Sequence, residues 1–157
     1  MANGSLIFEE GYKVYDINGD PDRVIKVSTT DYSIITRFQE AEFKIKEKVK
    51  DYNNINIKPD GTADTDAEEA IAAIADLTSF IEEQINYIFN SDISGIVFNG
   101  QSCLSTFKGV PLYERFLDAI IPVIEKDLKA EVKESQKRVQ KYTNNSSSKY
   151  KKAVKGK

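Results

Sequence analysis

The sequence predicts an α+β fold, mostly α: an N-terminal β-hairpin packed on a bundle of about three long helices, the last helix kinked at Pro122. Three observations carry that expectation. Two β-rich runs flank the dipeptide Asn18-Gly19, the strongest short-range hairpin signal, because both residues accept positive φ. Ile71, Ile74, Thr78, Ile81, Ile85 and Ile88 recur at spacings of 3, 4, 3, 4 and 3, the period of a helix. Pro111 then stands where a first helical residue is expected, ahead of another apolar run of helical period.

A chain of 157 residues with 40% hydrophobic side chains has the length of one domain and the composition for one core. The reading is a single domain over residues 1–142, with the hairpin at about 12–27 and helices at about 31–52, 65–89 and 111–142. Residues 143–157 are expected to form a basic, flexible C-terminal tail.

In the hairpin, Tyr12, Val14 and Ile17, then Val24, Ile25 and Val27, flank Asn18-Gly19-Asp20-Pro21-Asp22. Pro21 is expected to close the turn, since it cannot donate inside a central strand. An isolated two-stranded hairpin is marginal, so this one must lie on the helices, gain a strand such as Leu6–Phe8, or pair with another subunit. Asp16, Asn18, Asp20 and Asp22 alternate as in a calcium loop. Such a loop needs Gly at its sixth position and Glu at its twelfth, where this chain has Pro21 and Val27, so the stretch reads as a solvated turn.

Thr29-Thr30-Asp31 supplies N-cap oxygens for the first helix, whose apolar face is read as Ile35, Phe38, Ile45, Val49 and Tyr52. Lys44, Lys46, Glu47, Lys48 and Lys50 form its solvated side. Pro59-Asp60-Gly61 marks a turn, and Thr65-Asp66-Ala67-Glu68 a capping box that opens the second helix. Asn90 stands where a helix C-terminus takes the left-handed conformation. Ile96-Val97-Phe98 is expected to be a short buried element between Ser94-Gly95 and Asn99-Gly100. On the last helix Tyr113, Phe116, Leu117, Ile120, Ile121 and Ile124 form the apolar face, with Leu128, Val132 and Val139 as a weak continuation. Pro122 removes a hydrogen bond to the Asp118 carbonyl.

Composition narrows the chemistry. The chain has no histidine, which excludes a His-based triad, a His ligand and a His general base. Its single cysteine, Cys103, makes no intrachain disulfide and lacks the partners of a thiolate zinc site. No base stands beside it to form thiolate, so it reads as a buried structural residue. No catalytic, metal or cofactor residue is assigned. No apolar run approaches the roughly 18 residues of a membrane span, and the N-terminal stretch lacks the basic start of a secretory signal. Charge is split: residues 1–125 carry a net −11 and residues 126–157 a net +8. An asymmetry of this kind marks an interaction arm.

Several of these stretches together resemble a known group. Ile85-Asn-Tyr-Ile-Phe89, a turn, Ile96-Val-Phe98-Asn-Gly100, Tyr113-Glu-Arg-Phe116-Leu117-Asp-Ala-Ile120-Ile-Pro122 and a Lys-rich helix ending Lys141-Tyr142-Thr143 resemble small tail proteins of phages and prophages of Gram-positive bacteria. Asn90 and Asn99 stand where that group usually has Gly. The likeness covers most of residues 12–143 and rests on hydrophobic patterns. It implies a non-enzymatic tail assembly chaperone of the host bacterial cytoplasm. Such a protein binds the tape-measure protein, helps recruit tail-tube subunits and is compatible with a homo-oligomer.

Phe98, Phe107, Tyr113 and Phe116 are the candidate partner contacts in the body, against the plainer reading that all four are core. Lys149, Lys151 and Lys152 are the candidates in the basic end. Two alternatives stay open. One is a structural component retained in the virion tail or baseplate. The other is a nucleic-acid-associated protein using the basic arm, disfavoured because the acidic body repels the same polymer.

Overall fold

The computed structural model describes residues 1–52 and 67–155, with side-chain surroundings given as far as residue 143. Pro59-Asp60-Gly61 and Thr65 of the capping box lie outside the described residues. The chain is mostly α with a smaller β part, as its patterns predict. In order come β1 (Lys13–Ile17), β2 (Asp20–Val27), α1 (Ser33–Tyr52), α2 (Ala67–Phe89), the short α3 (Ser94–Phe98), β3 (Thr106–Phe107), β4 (Val110–Pro111) and α4 (Leu112–Lys155).

β1 and β2 pair antiparallel, with Tyr15 opposite Ile25 and Lys13 opposite Val27. Asn18 and Gly19 hold φ of 56° and 77°, as a two-residue primed turn requires. The register shifts between Asp16 and Ile17, and Pro21 sits inside β2 rather than closing the turn. A two-stranded sheet tolerates this, because both strands are edges. The hairpin lies on the helices: Ile25 and Val27 are buried, and Arg23 reaches α3. Leu6–Phe8 does not join the sheet.

Asp31 accepts from the Ser33 amide at 3.0 Å and pairs with Arg37 at 3.0 Å, fixing the start of α1. Burial works against the Asp31 carboxylate, but these donors outweigh it and hold its pKa below the usual range. The buried side of α1 is Ile34, Ala41 and Ile45, with Phe38, Val49 and Tyr52 packed beside it. Ile35, expected on that face, is exposed. The true stripe runs 34, 38, 41, 45, so the small Ala41 completes a face that bulky residues alone misalign by one position.

α1 and α2 are antiparallel. Arg37 Nε donates to the Ile88 carbonyl at 2.9 Å near one end, and the Tyr52 hydroxyl donates to Asp76 near the other. Leu77, Ile81, Ile85 and Ile88 are buried, whereas Ile71 and Ile74 of the same stripe are exposed, because α2 runs past the last residue of α1. α2 ends in a Schellman arrangement: Ser91 N donates to Asn86 O, Asn90 N donates to Tyr87 O, and Asn90 holds φ of 50°. Asn therefore fills the left-handed position that Gly otherwise takes. Asn99 does the same after α3, with φ of 52°.

α3 is capped from both sides. Asn86 Oδ1 accepts from the amides of Ile93 and Ser94, each at 2.9 Å. Arg23 donates to the Ile96 and Val97 carbonyls at 3.1 and 2.7 Å. Side chains of α2 and β2 thus satisfy orphan groups that so short a helix cannot satisfy alone. A second small hairpin follows, absent from the sequence expectation. Phe107 pairs with Val110 across Lys108-Gly109, which hold φ of 52° and 78°. Pro111 belongs to this hairpin, and α4 begins one residue later than expected.

α4 packs Ile120, Ile124 and Leu128 into the core and continues unbroken through Pro122. Pro122 is exposed, so the carbonyl it leaves unpaired faces water. Asp127 anchors the helix to the hairpin region: it accepts from Lys13 at 2.8 Å and from the fully buried Thr29 hydroxyl. Both bonds hold its pKa below the ordinary value. From residue 143, where the basic tail is expected, the backbone continues α4 as far as Lys155. Its sequence explains this, since no Pro or Gly interrupts residues 123–155.

Candidate protein-interaction site

The four candidate contact aromatics separate into two kinds. Phe98 is 3% exposed, and its ring meets Phe116 edge-on at 6.4 Å. Phe116 in turn meets Phe89 at 5.7 Å. These three rings join α2, α3 and α4, so Phe98 is a core residue unavailable to a partner and Phe116 is half-buried beside it. Tyr113 is also half-buried. Its amide donates to the Cys103 carbonyl at 3.0 Å, and burial with the neighbouring Glu114 pushes its hydroxyl pKa up to about 12.

Phe107 alone of the four is open to solvent, at the tip of the second hairpin. The Lys108 ammonium and the Arg115 guanidinium lie 5.5 and 5.8 Å from its ring centre. Arg115 also donates to the Ser105 carbonyl at 3.0 Å and the Val110 carbonyl at 3.2 Å, which fastens the small hairpin to α4. The result is an aromatic knob held by two cations. Lys149, Lys151 and Lys152 fall on the helical backbone of α4, and their side chains lie outside the described residues.

Sequence reasoning treated Leu6-Ile7-Phe8 as a spare strand and so missed their exposure. Leu6 and Ile7 are 93% and 94% exposed, Phe8 is exposed as well, and none of the three packs against the core. The signal was present: the triplet is a continuous apolar run, with no alternation to suggest one buried side. Beside the first hairpin, Tyr15, Ile17, Val97, Leu112, Phe116 and Ile120 line an apolar groove of about 330 Å³.

The far half of α4 is the second missed feature. Every side chain from Lys129 to Thr143 is exposed, including Val132, Val139 and Tyr142. Val132 and Val139 were expected to continue the core face, but the buried stripe ends at Leu128 and they lie exposed beside Tyr32.

The lone thiol and the acidic turn both serve the fold. Cys103 is fully buried, and burial together with Glu82 pushes its thiol pKa up to about 11, far from a nucleophile at neutral pH. In the acidic turn, Asp16 Oδ1 accepts from the Gly19 amide and Asp20 Oδ1 from the Asp22 amide, so these carboxylates hold the turn itself. Among the described residues no group of three acidic or Cys side chains is placed to hold a metal ion. Among them, too, no helix is long and apolar enough to cross a membrane. What the surface does offer is exposed apolar residues, at the N-terminal arm, at the Phe107 knob and along the end of α4. No family model, curated protein or solved structure matches the chain.

Proposed function

We propose that this protein is a non-enzymatic tail assembly chaperone of the phage type. It binds the tape-measure protein in the host bacterial cytoplasm, shields that protein's apolar helices and helps recruit tail-tube subunits. The observation that carries a protein-binding role is the Leu6-Ile7-Phe8 arm, a contiguous apolar run turned to solvent with no place in the core. A run of this kind marks a partner surface. The Phe107 knob adds an aromatic anchor flanked by cations, the residue types that dominate binding energy at interfaces. The client follows from the resemblance over residues 12–143.

Co-expression with the tape-measure protein that the proposal expects to be encoded downstream of the gene tests it. A stable complex and a higher yield of undegraded, unaggregated client support it. Loss of that yield in a Leu6→Ser/Ile7→Ser/Phe8→Ser variant assigns the effect to the arm. Aggregation of the client at an equal level with and without the chaperone refutes the proposal.

The projecting half of α4 favours a second reading, a structural component that stays in the tail or baseplate, since a long exposed helix suits permanent docking. Detection of the protein in purified particles at stoichiometric amounts would select that reading.

A further inference from the structure

α1 packs along α2, and between α1 and the first half of α4 a groove of about 230 Å³ stays open. Its floor is the buried Ile45 and Ile88. Its walls are Phe38 from α1 and Tyr113, Leu117 and Ile121 from α4, all half-buried, so their free sides meet water. The spacing of the three α4 residues draws one apolar line about 12 Å long beside the groove.

The rim along that line is acidic. Glu114, Asp118 and Glu125 stand exposed at i, i+4 and i+11 of α4, within about 40° of one another around the helix axis. Among the described residues none of the three joins a salt bridge, and Glu114 accepts a 3.4 Å hydrogen bond from the Tyr113 hydroxyl. On the α1 side Glu42 and Lys46 pair with each other at 2.9 Å and cancel. The one cation of α4 ahead of Lys126 is Arg115, which bonds the Ser105 and Val110 carbonyls on another side of the helix. The groove therefore joins an apolar floor to an uncompensated negative edge. Like charges four residues apart repel along a helix, and a cation laid beside them relieves that repulsion. The same edge repels nucleic acid and anionic lipid.

We propose that this groove docks a cationic amphipathic helix of a partner protein. Apolar side chains of that helix, at i, i+3 or i+4 and i+7, enter between Phe38, Leu117 and Ile121, and its Lys or Arg flank lies along Glu114, Asp118 and Glu125. The site is separate from the N-terminal arm and the Phe107 knob. The inference goes beyond the tail-assembly reading and stands without it.

Fluorescence anisotropy of labelled synthetic helices, titrated with the full-length protein, tests the proposal. The probes are a peptide with leucine on one face and lysine on the other, its glutamate counterpart, and a scrambled leucine/lysine peptide with no apolar face. Saturable binding of the first alone is expected, weakened at least about tenfold from low to high salt. Glu114→Lys/Asp118→Lys, at exposed positions, is expected to lower the affinity at least about tenfold. Glu69→Lys/Glu83→Lys on α2 makes the same change in net charge and is expected to lower it under about twofold. Leu117→Ala probes the apolar wall with the charges intact and is expected to weaken binding as well. Equal losses in the two charge variants overturn the proposal, since net charge alone would then attract the peptide. So does a protein that binds none of the peptides, or that binds the scrambled or glutamate peptide as tightly as the first. Self-association of the wild-type protein that Glu114→Lys/Asp118→Lys abolishes also overturns it, because the groove would then hold the basic end of α4 from a second copy.

Discussion

Ile74 and Ile81 lie seven residues apart on one stripe of α2, and truncating each to alanine separates the helix that is packed from the helix that projects. Ile81 is 0% exposed and Ile74 51%. Ile→Ala deletes three carbons, and at about 0.8 kcal/mol per buried methylene the transfer loss at Ile81 is about 2.4 kcal/mol. The cavity left in the core cluster brings the cost to roughly 3–4 kcal/mol. At Ile74 half the side chain already meets water and no closed cavity forms, so the loss is under about 1 kcal/mol.

Urea unfolding followed by circular dichroism reads both. With a slope of about 2 kcal/mol/M, Ile81→Ala lowers the midpoint by about 1.5–2 M and Ile74→Ala by under about 0.5 M, with the slope unchanged. Equal losses at the two positions would refute the reasoning. They would place Ile74 in the core and contradict its exposure beyond the end of α1.

Other consequences follow from single groups. Cys103 is expected to resist Ellman's reagent at pH 8 in the folded protein and to react fully in denaturant; stoichiometric labelling of the native protein within seconds contradicts its burial. Because the folded pKa of Asp127 is depressed, its stabilising contribution is present above the unfolded value near 3.9 and is lost as pH falls through the folded value. Asp127→Asn is therefore expected to be less stable than the parent at pH 7, with a gap that narrows below about pH 4; a pH-independent gap in thermal melts counts against the Lys13 and Thr29 contacts. Lys108 holds a positive φ in a two-residue turn, so Lys108→Gly is expected to be neutral or to stabilise by up to about 1 kcal/mol, and a clear loss would show that the turn differs.

Much of the fold was legible because its signals are local. Asn18-Gly19 announces its hairpin by backbone permissiveness, and the isoleucines of α2 announce a helix by period alone. Asn90 and Asn99 accept the left-handed geometry that Gly would take, so the turns survive those changes. Tertiary facts were not legible. Nothing in the Ile71–Ile88 repeat says that α1 stops beside Asp76 and leaves its first two isoleucines uncovered. Val132 and Val139 continue a periodic stripe whose partner has ended. The Lys108-Gly109 hairpin was hidden because Lys is an uncommon occupant of positive φ and its strands are only two residues long. Phe98 and Phe107 look alike in sequence, and only the surrounding chain decides that one is core and the other a knob.

α4 is one uninterrupted helix from the core layer at Ile120, Ile124 and Leu128 to the projecting stripe at Val132 and Val139. The azimuth of the distal stripe is therefore locked to the body, at about 100° per residue. One residue inserted after Leu128 would swing every distal side chain by that angle while advancing it only about 1.5 Å. Seven inserted residues would nearly restore the original phase, about 20° short, while lengthening the reach by about 10 Å. The helix thus serves as a ruler whose angular and linear settings can be changed separately, by the number of residues placed between its two apolar segments.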